Sequence, residues 1–489
     1  MLPKFRILIF LLIVATNVLA QSRGNNLDKY FSTLSKNQQF NGNVLIAEKG
    51  KIIYQKSFGY ADFLAKRLNT VNSSLPIASI TKTFTSTAIL QLKEKGKLKL
   101  EDNVVKYLPE FPYPTITVKQ LLSHTSGLPI YDTLFFSLIS LHPDTVFTNR
   151  DIISVMISKK AQLIFKPGDD FLYNNVNYNI LALIIEKISG LSFEAYLKKY
   201  IFIPAGMTHT SLSIFFSRKD KNLSMRYRLQ YLYSKKLERT DTSAEFKIIY
   251  RFNFQGHGDI ISTTNDLLKY DISLYNGTLL NSASLKEAFT AIKLNNGEDN
   301  VQRYALGWIT KKDTSIGEIV KHDGGLPGGR TMLLRNINRH QTIILFDNTA
   351  NNVIPIADNA LSILNGATID KPKKSGARFY GVDLAYNGTK TGDKTLTRIK
   401  KDTSNYYLSE QEMNSLGYAF LSNNRDSEAE ATFKQNTQLF PLSWNTYDSY
   451  GEVLLKNGKK EAAIKMYQKS VELNPDNENG KKVLEQILK

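Results

Sequence analysis

The stretch Ala78-Ser79-Ile80-Thr81-Lys82-Thr83-Phe84-Thr85 decides how this chain is read. Ser79 and Lys82 stand three apart, so on a helix they share a face and the amine can lie against the hydroxyl. A serine hydroxyl is a poor nucleophile at neutral pH unless a base takes its proton or a cation steadies the alkoxide. Ile80, Phe84, Ala88 and Leu92 recur at helical spacing as far as Lys95, and Gly96 supplies a stop. The spacing predicts a buried helix with Ser79 at its N-terminal end, where free N–H groups and the helix dipole favour developing negative charge. Alone, S-x-x-K is a weak signal; its weight comes from two clusters further along the chain.

On either side of this helix the chain reads as strands. Val44-Leu45-Ile46-Ala47 and Ile52-Ile53-Tyr54, joined through Glu48-Lys49-Gly50, form a hairpin signature within 42–61. Arg330 to Leu334 and Gln341 to Phe346 predict a second strand pair, and Tyr178 to Ile188 another buried helix stopped at Gly190. Strands open and close the segment while helices fill its middle. That order predicts an α+β domain whose two ends meet in one antiparallel sheet flanked by helices, with an all-α region between them.

Beyond Gly366 the composition shifts. Residues 366–405 are Lys-, Gly- and Thr-rich without clean periodicity and read as a basic linker. Residues 406–489 then repeat themselves: Leu416-Gly417 with Tyr450-Gly451, Ala429 with Ala463, Phe433 with Tyr467, and Pro441 with Pro475. Each pair is about 34 positions apart, the tetratricopeptide period, which predicts a small all-α helical-repeat domain. The helix Lys481 to Leu488 is expected to cap it, because two repeats bury little surface by themselves.

Residues 1–20 carry the marks of a signal peptide: Lys4 and Arg6, then an apolar run from Ile7 to Val14, then Val18-Leu19-Ala20 before Gln21. The run is short for a membrane span. A periplasmic or secreted protein is expected. The chain has no cysteine, which excludes disulfides, a thiol nucleophile and thiolate metal sites. Of its formal charge of +18, residues 371–402 hold a local excess with 9 basic and 3 acidic residues, 411–489 is nearly neutral with 10 basic and 11 acidic, and the rest is scattered over the body. Nucleic acid is therefore not an expected partner; solvated charge with no specific partner is the leading expectation, ahead of peripheral contact with anionic envelope polymers or lipid head groups.

Two further clusters accompany Ser79 and Lys82: Tyr173-Asn174-Asn175, and His322-Asp323-Gly324 continuing as Gly325-Leu326-Pro327-Gly328-Gly329. With these in order the sequence resembles the serine β-lactamase and penicillin-binding protein family, in its class C-like branch of DD-peptidases, D-aminopeptidases and esterases. Gly59-Tyr60-Ala61-Asp62, Leu121-Leu122-Ser123-His124-Thr125-Ser126-Gly127-Leu128 and Ser262-Thr263-Thr264 add to the resemblance, which covers about residues 28–365. It implies a β-lactamase/transpeptidase-like fold and a set of roles. Ser79 would be acylated, with Lys82 steadying the alkoxide and Tyr173 taking the serine proton and returning it to the leaving group. Asn175 would bond Lys82 and the substrate amide. The N–H groups of Ser79 and Gly325 would form the oxyanion hole, with His322 and Gly324 lining the substrate site.

One departure bears on specificity. Where β-lactamases and DD-peptidases of the family carry Lys-Thr-Gly, this chain has His322-Asp323-Gly324. An imidazole holds a substrate carboxylate less firmly than an ammonium, which moves the expectation from efficient β-lactam hydrolysis toward esters or D-amino-acid peptides. Lys390-Thr391-Gly392 matches the missing motif but lies in the linker, without paired strands. His124 reads as a structural loop histidine. The histidines show no ligand spacing, so no metal and no cofactor are expected. The reading is a metal-free serine hydrolase acting through an acyl-enzyme on an ester, D-amino-acid peptide or β-lactam carbonyl, its substrate a small molecule or cell-wall peptide. The competing reading is an envelope scaffold whose repeat tail recruits a protein partner and whose hydrolase fold turns over little.

Overall fold

The computed structural model describes residues 22–142, 144–212, 220–243, 252–313 and 315–489, so the expected signal peptide lies outside the described residues. The chain divides into two compact units, one formed by residues up to 228 together with 239–369, the other by 229–238 together with 370–489. No helix among the described residues is long and apolar enough to cross a membrane.

The first unit is organised by a six-stranded sheet: β1 (Gly42–Glu48), β2 (Lys51–Phe58), β3 (Ile309–Asp313), β4 (Gly317–Leu326), β5 (Gly329–Asn336) and β6 (Gln341–Asp347). Their order across the sheet is β3-β4-β5-β6-β1-β2, every pair antiparallel, with Gly42 opposite Asp347 and Glu48 opposite Gln341 where the chain's early and late strands meet. The predicted α+β sheet is therefore present, closed by its two ends.

Successive side chains of a strand point to opposite faces, and here both faces are covered, which is why β1 reads as an uninterrupted apolar run. Leu45 and Ala47 enter one core with the helix α1 (Thr81–Glu94) and the helix α2 (Asn175–Ser189). Val44 and Ile46 enter the other, against a helix over 22–36 and the helix α3 (Val353–Leu364). Every residue of α1 from Thr81 to Leu92 is buried. The helix has no side-chain cap; it runs on from a 3₁₀ turn, Ala78–Ile80. Ser79 thus stands in that turn, two residues ahead of the helix in which the sequence pattern places it.

The second unit is all helical apart from short strands: α4 (Gly376–Asn387), α5 (Thr389–Lys401), α6 (Glu410–Leu421), α7 (Asp426–Leu439), α8 (Trp444–Lys456), α9 (Lys460–Leu473) and α10 (Glu478–Leu488). The repeat has a packing cause. A Cβ on Gly417 would stand 2.6 Å from the Phe433 ring, and one on Gly451 would stand 2.9 Å from the Tyr467 ring, so the same glycine–aromatic approach closes each hairpin.

The stretch expected to be a linker differs from the expectation. Tyr380 and Leu384 of α4 and Leu396 of α5 pack into one core with Leu416, Phe420 and Phe433. Their apolar positions are few and interrupted by Gly and Thr, which hides the helical period. Lys390-Thr391-Gly392 lies inside α5 and belongs to no strand. Residues 229–238, in the middle of the hydrolase segment, also join this unit: Tyr233 stacks on Phe420 with ring centroids 4.4 Å apart, and Arg378 donates to the Leu232 and Ser234 carbonyls.

Candidate active site

The 3₁₀ turn carrying Ser79 is braced from two sides. Ile77 N–H donates to the Ile260 carbonyl at 2.9 Å, and Thr331 Oγ1 of β5 donates to the Ile77 carbonyl at 2.9 Å. Ala78 holds a left-handed backbone, φ +48°, immediately before the nucleophile. For a residue with a Cβ this conformation costs about 1–3 kcal/mol, and such strain gathers where geometry is constrained by function. Gly324 of β4 lies against the turn so closely that a Cβ would stand 2.2 Å from the Ile77 carbonyl oxygen.

Lys82, one turn on, is 0% exposed. Its Nζ has three neighbours: Ser79 Oγ at 3.1 Å, Asn175 Oδ1 at 2.8 Å and the His257 carbonyl at 2.9 Å. Burial drives its pKa well below the ordinary lysine value, and the nearby carboxylates of Asp259 and Asp323 oppose that only in part. Asn175 Oδ1 and the His257 carbonyl can only accept, so Nζ donates to both. The third contact of Nζ is the Ser79 hydroxyl, so the amine is held in place by two fixed acceptors and faces the serine with its remaining position. Nζ also lies 4.8 Å from the centroid of the Tyr173 ring.

Tyr173 is the residue before the cap of α2. Asn174 caps that helix by accepting from Val176 N–H at 3.0 Å, which fixes Asn175 on its first turn facing Lys82. The Tyr173 phenol is pushed above its ordinary pKa by burial; a hydrogen bond with Ser79 opposes the shift and the Asp323 charge adds to it. It is a protonated phenol at rest.

Ser79, Lys82, Tyr173 and Asn175 are thus gathered at one place, with Gly324 against the Ser79 turn. Gly325 lies on the stretch of β4 beyond the reach of β3: β3 pairs with β4 only as far as Lys321, so 322–326 pair with β5 alone and present a free edge. His322 departs from the expectation. It is 1% exposed; its Nδ1 donates to the Asp323 carbonyl at 2.7 Å and its Nε2 takes the Tyr304 hydroxyl at 2.9 Å. Burial, then the Lys82 charge, hold its pKa down to about 4, with Asp323 opposing. Both ring nitrogens are occupied by the protein, so the imidazole is a neutral wall of the site rather than an anchor for substrate.

Two contributors have little sequence signal. His257 acts through its backbone carbonyl, which no side-chain motif reports. Asp259 accepts from Gly256 N–H at 2.8 Å and Gly258 N–H at 3.4 Å, and burial raises its pKa to about 6 against those bonds and the Lys82 charge. The glycines of Gln255-Gly256-His257-Gly258-Asp259 hint at a tight turn but not at Lys82 as its target. Among the described residues no group of His, Asp and Glu is arranged to hold a metal ion.

An S-x-x-K turn under the free edge of an antiparallel sheet, faced by a Tyr-x-Asn helix start, defines a class of serine hydrolase. The Beta-lactamase family pattern matches residues 27–365, and the chain belongs to that family; a tetratricopeptide repeat matches 445–477. Penicillin-binding protein 4* of Bacillus subtilis is 35% identical over 79% of this chain and 88% of its own length. The octameric penicillin-binding protein homologue from Pyrococcus abyssi superposes with a TM-score of 0.59 at 27% identity, over 70% of this chain and 78% of that one. A D-amino acid amidase from Ochrobactrum anthropi shares the fold, with a TM-score of 0.57 at 21% identity over 71% and 98% of the two chains.

Proposed function

We propose that this protein forms an acyl-enzyme on Ser79 from ester and D-amino-acid amide or peptide carbonyls. The observation that carries the reading is the Lys82 amine, buried and bonded to Asn175 and His257 so that its remaining position faces Ser79 Oγ. Ser79 Oγ bonds to the carbonyl carbon as its proton passes to Lys82 Nζ, and the N–H groups of Ser79 and Gly325 receive the oxyanion. The bond to the leaving amine or alkoxide then breaks. The leaving group takes a proton from the Tyr173 phenol, which Lys82 replenishes, and water releases the acid by the reverse path. Assigning the base to Lys82 and the donor to Tyr173 follows the directions in which burial moves the two groups.

The occupied, neutral imidazole of His322 supports a preference for uncharged esters and amides over cephalosporins, because it offers no cation to a carboxylate. The N-terminal charge and apolar pattern supports a location outside the cytoplasm. The repeat unit supports a protein partner.

Labelling with a fluorophosphonate and with a fluorescent penicillin, wild type beside Ser79→Ala, tests the nucleophile. Labelling of the wild type and none of the folded Ala variant is expected; equal labelling of both would refute it.

A further inference from the structure

We propose that His124 is a positioning residue for Tyr173, holding the phenol at Ser79 by clamping the backbone on both sides of it. The proposal rests on the acyl-enzyme reading and adds to it a residue that touches no substrate.

The clamp is drawn by two bonds to one residue. The His124 carbonyl accepts from Leu172 N–H at 3.0 Å, and His124 Nδ1 accepts from Asn174 N–H at 3.1 Å. Residues 172 and 174 are thereby tied to one point, and Tyr173 between them has its backbone fixed. The imidazole lies beside the Tyr173 ring, centroids 4.4 Å apart. The site that orients the phenol also orients Lys82's partner, since Asn174 is the cap that starts α2 at Asn175.

The tautomer is set by the donors. A backbone N–H can only donate, so Nδ1 carries a lone pair and the proton is on Nε2. Asn177 Nδ2 donates to the same Nδ1 at 3.1 Å, its own Oδ1 being taken by Ser126 Oγ. Burial holds the His124 pKa well below the ordinary histidine value, which favours the neutral ring that this lone pair requires.

Two costs are concentrated here. The Nε2–H is buried without a hydrogen-bond partner, and the imidazole packs against the rings of Phe171, Tyr173, Tyr178 and Tyr304. The backbone stands at φ +60°, a left-handed conformation for a residue with a Cβ. A residue kept only for packing would avoid a stranded donor. In return the ring supplies the acceptor for the Asn174 N–H.

The variants separate clamping from filling. His124→Asn places an amide oxygen near Nδ1 and accepts a left-handed backbone; His124→Leu fills space without an acceptor; His124→Gly has no acceptor but relaxes the backbone, covering the case in which the Leu variant does not fold. Full-length proteins are titrated with a fluorophosphonate to separate kinact from KI, and melting is followed by circular dichroism. His124→Asn is expected within about fivefold of wild type in kinact, while Leu and Gly fall about 30- to 100-fold with KI little changed, the scale of an ångström-sized misplacement. All three should melt lower, since all lose the ring. A folded Leu or Gly variant acylating at the wild-type rate would overturn the clamp, as would a folded Asn variant no faster than either. Ser79→Ala run in parallel keeps the failures apart: persistent labelling there refutes the acyl-enzyme reading, whereas lost labelling with no ordering across the His124 series refutes the clamp alone.

Discussion

Gly324→Ala should damage catalysis far more than Gly325→Ala, although the two positions are neighbours on β4. A Cβ on Gly324 would stand 2.2 Å from the Ile77 carbonyl oxygen and 2.2 Å from Thr331 Oγ1, with Ala78 Cβ 3.1 Å away. Carbon–oxygen contacts settle at about 3.3–3.6 Å, so strand and turn must part by about 1 Å. The Ile77 carbonyl belongs to backbone and cannot rotate aside. Moving it breaks the Thr331–Ile77 bond, worth about 1 kcal/mol net, and overpacking adds about 1–3 kcal/mol. The melting temperature should drop by several degrees, since about 1 kcal/mol moves a large domain by about 2–4 °C. The turn that moves carries Ser79, and an ångström of misplacement costs about 100-fold in rate. At Gly325 the Cβ would meet only Arg330 Nη1, the far end of a flexible side chain on an exposed residue, which can swing away. Stopped-flow release of p-nitrophenolate from p-nitrophenyl acetate reads acylation for both variants, and circular dichroism reads melting. Gly324→Ala with wild-type acylation and melting would refute the argument, as would equal losses from both substitutions.

Lys82→Met keeps the length of the side chain without the amine; kcat should fall by about 10²- to 10⁴-fold in steady-state ester hydrolysis, the usual worth of a positioned base. The acid limb of kcat/KM should report protonation of Lys82. Asp259→Asn removes an anion that favours the ammonium, so the amine stays neutral to lower pH and the limb should move down in pH–rate profiles. Phe420→Ala removes the ring under Tyr233, at a cost of about 3–5 kcal/mol to the second unit, and should speed amide hydrogen exchange across 229–238, measured by mass spectrometry.

The chemistry of this protein is written locally and its tuning is not. The pairing of Ser79 with Lys82 follows from their three-residue spacing in continuous helical turns, the 34-residue repeat from the recurrence of Gly417 and Phe433 at Gly451 and Tyr467, and the sheet from apolar runs such as Val44 to Ala47. Each depends on neighbours within a few turns or on a regular period, so each is legible in the chain. The tertiary structure decided the rest. Whether the Lys82 amine is neutral depends on burial by α2 and the 255–259 turn, and on Asp259 and Asp323, far away in the sequence. His322 matches the position of a substrate contact, yet Tyr304 takes one of its nitrogens and the Asp323 carbonyl the other. His124 reads as an ordinary loop residue until Leu172 and Asn174 are brought to it. Residues 229–238 leave the hydrolase segment because Tyr233 finds Phe420, far along the chain. Desolvation and hydrogen-bond pairing are sums over partners that only the folded chain brings together, whereas periodicity is a property of the chain itself.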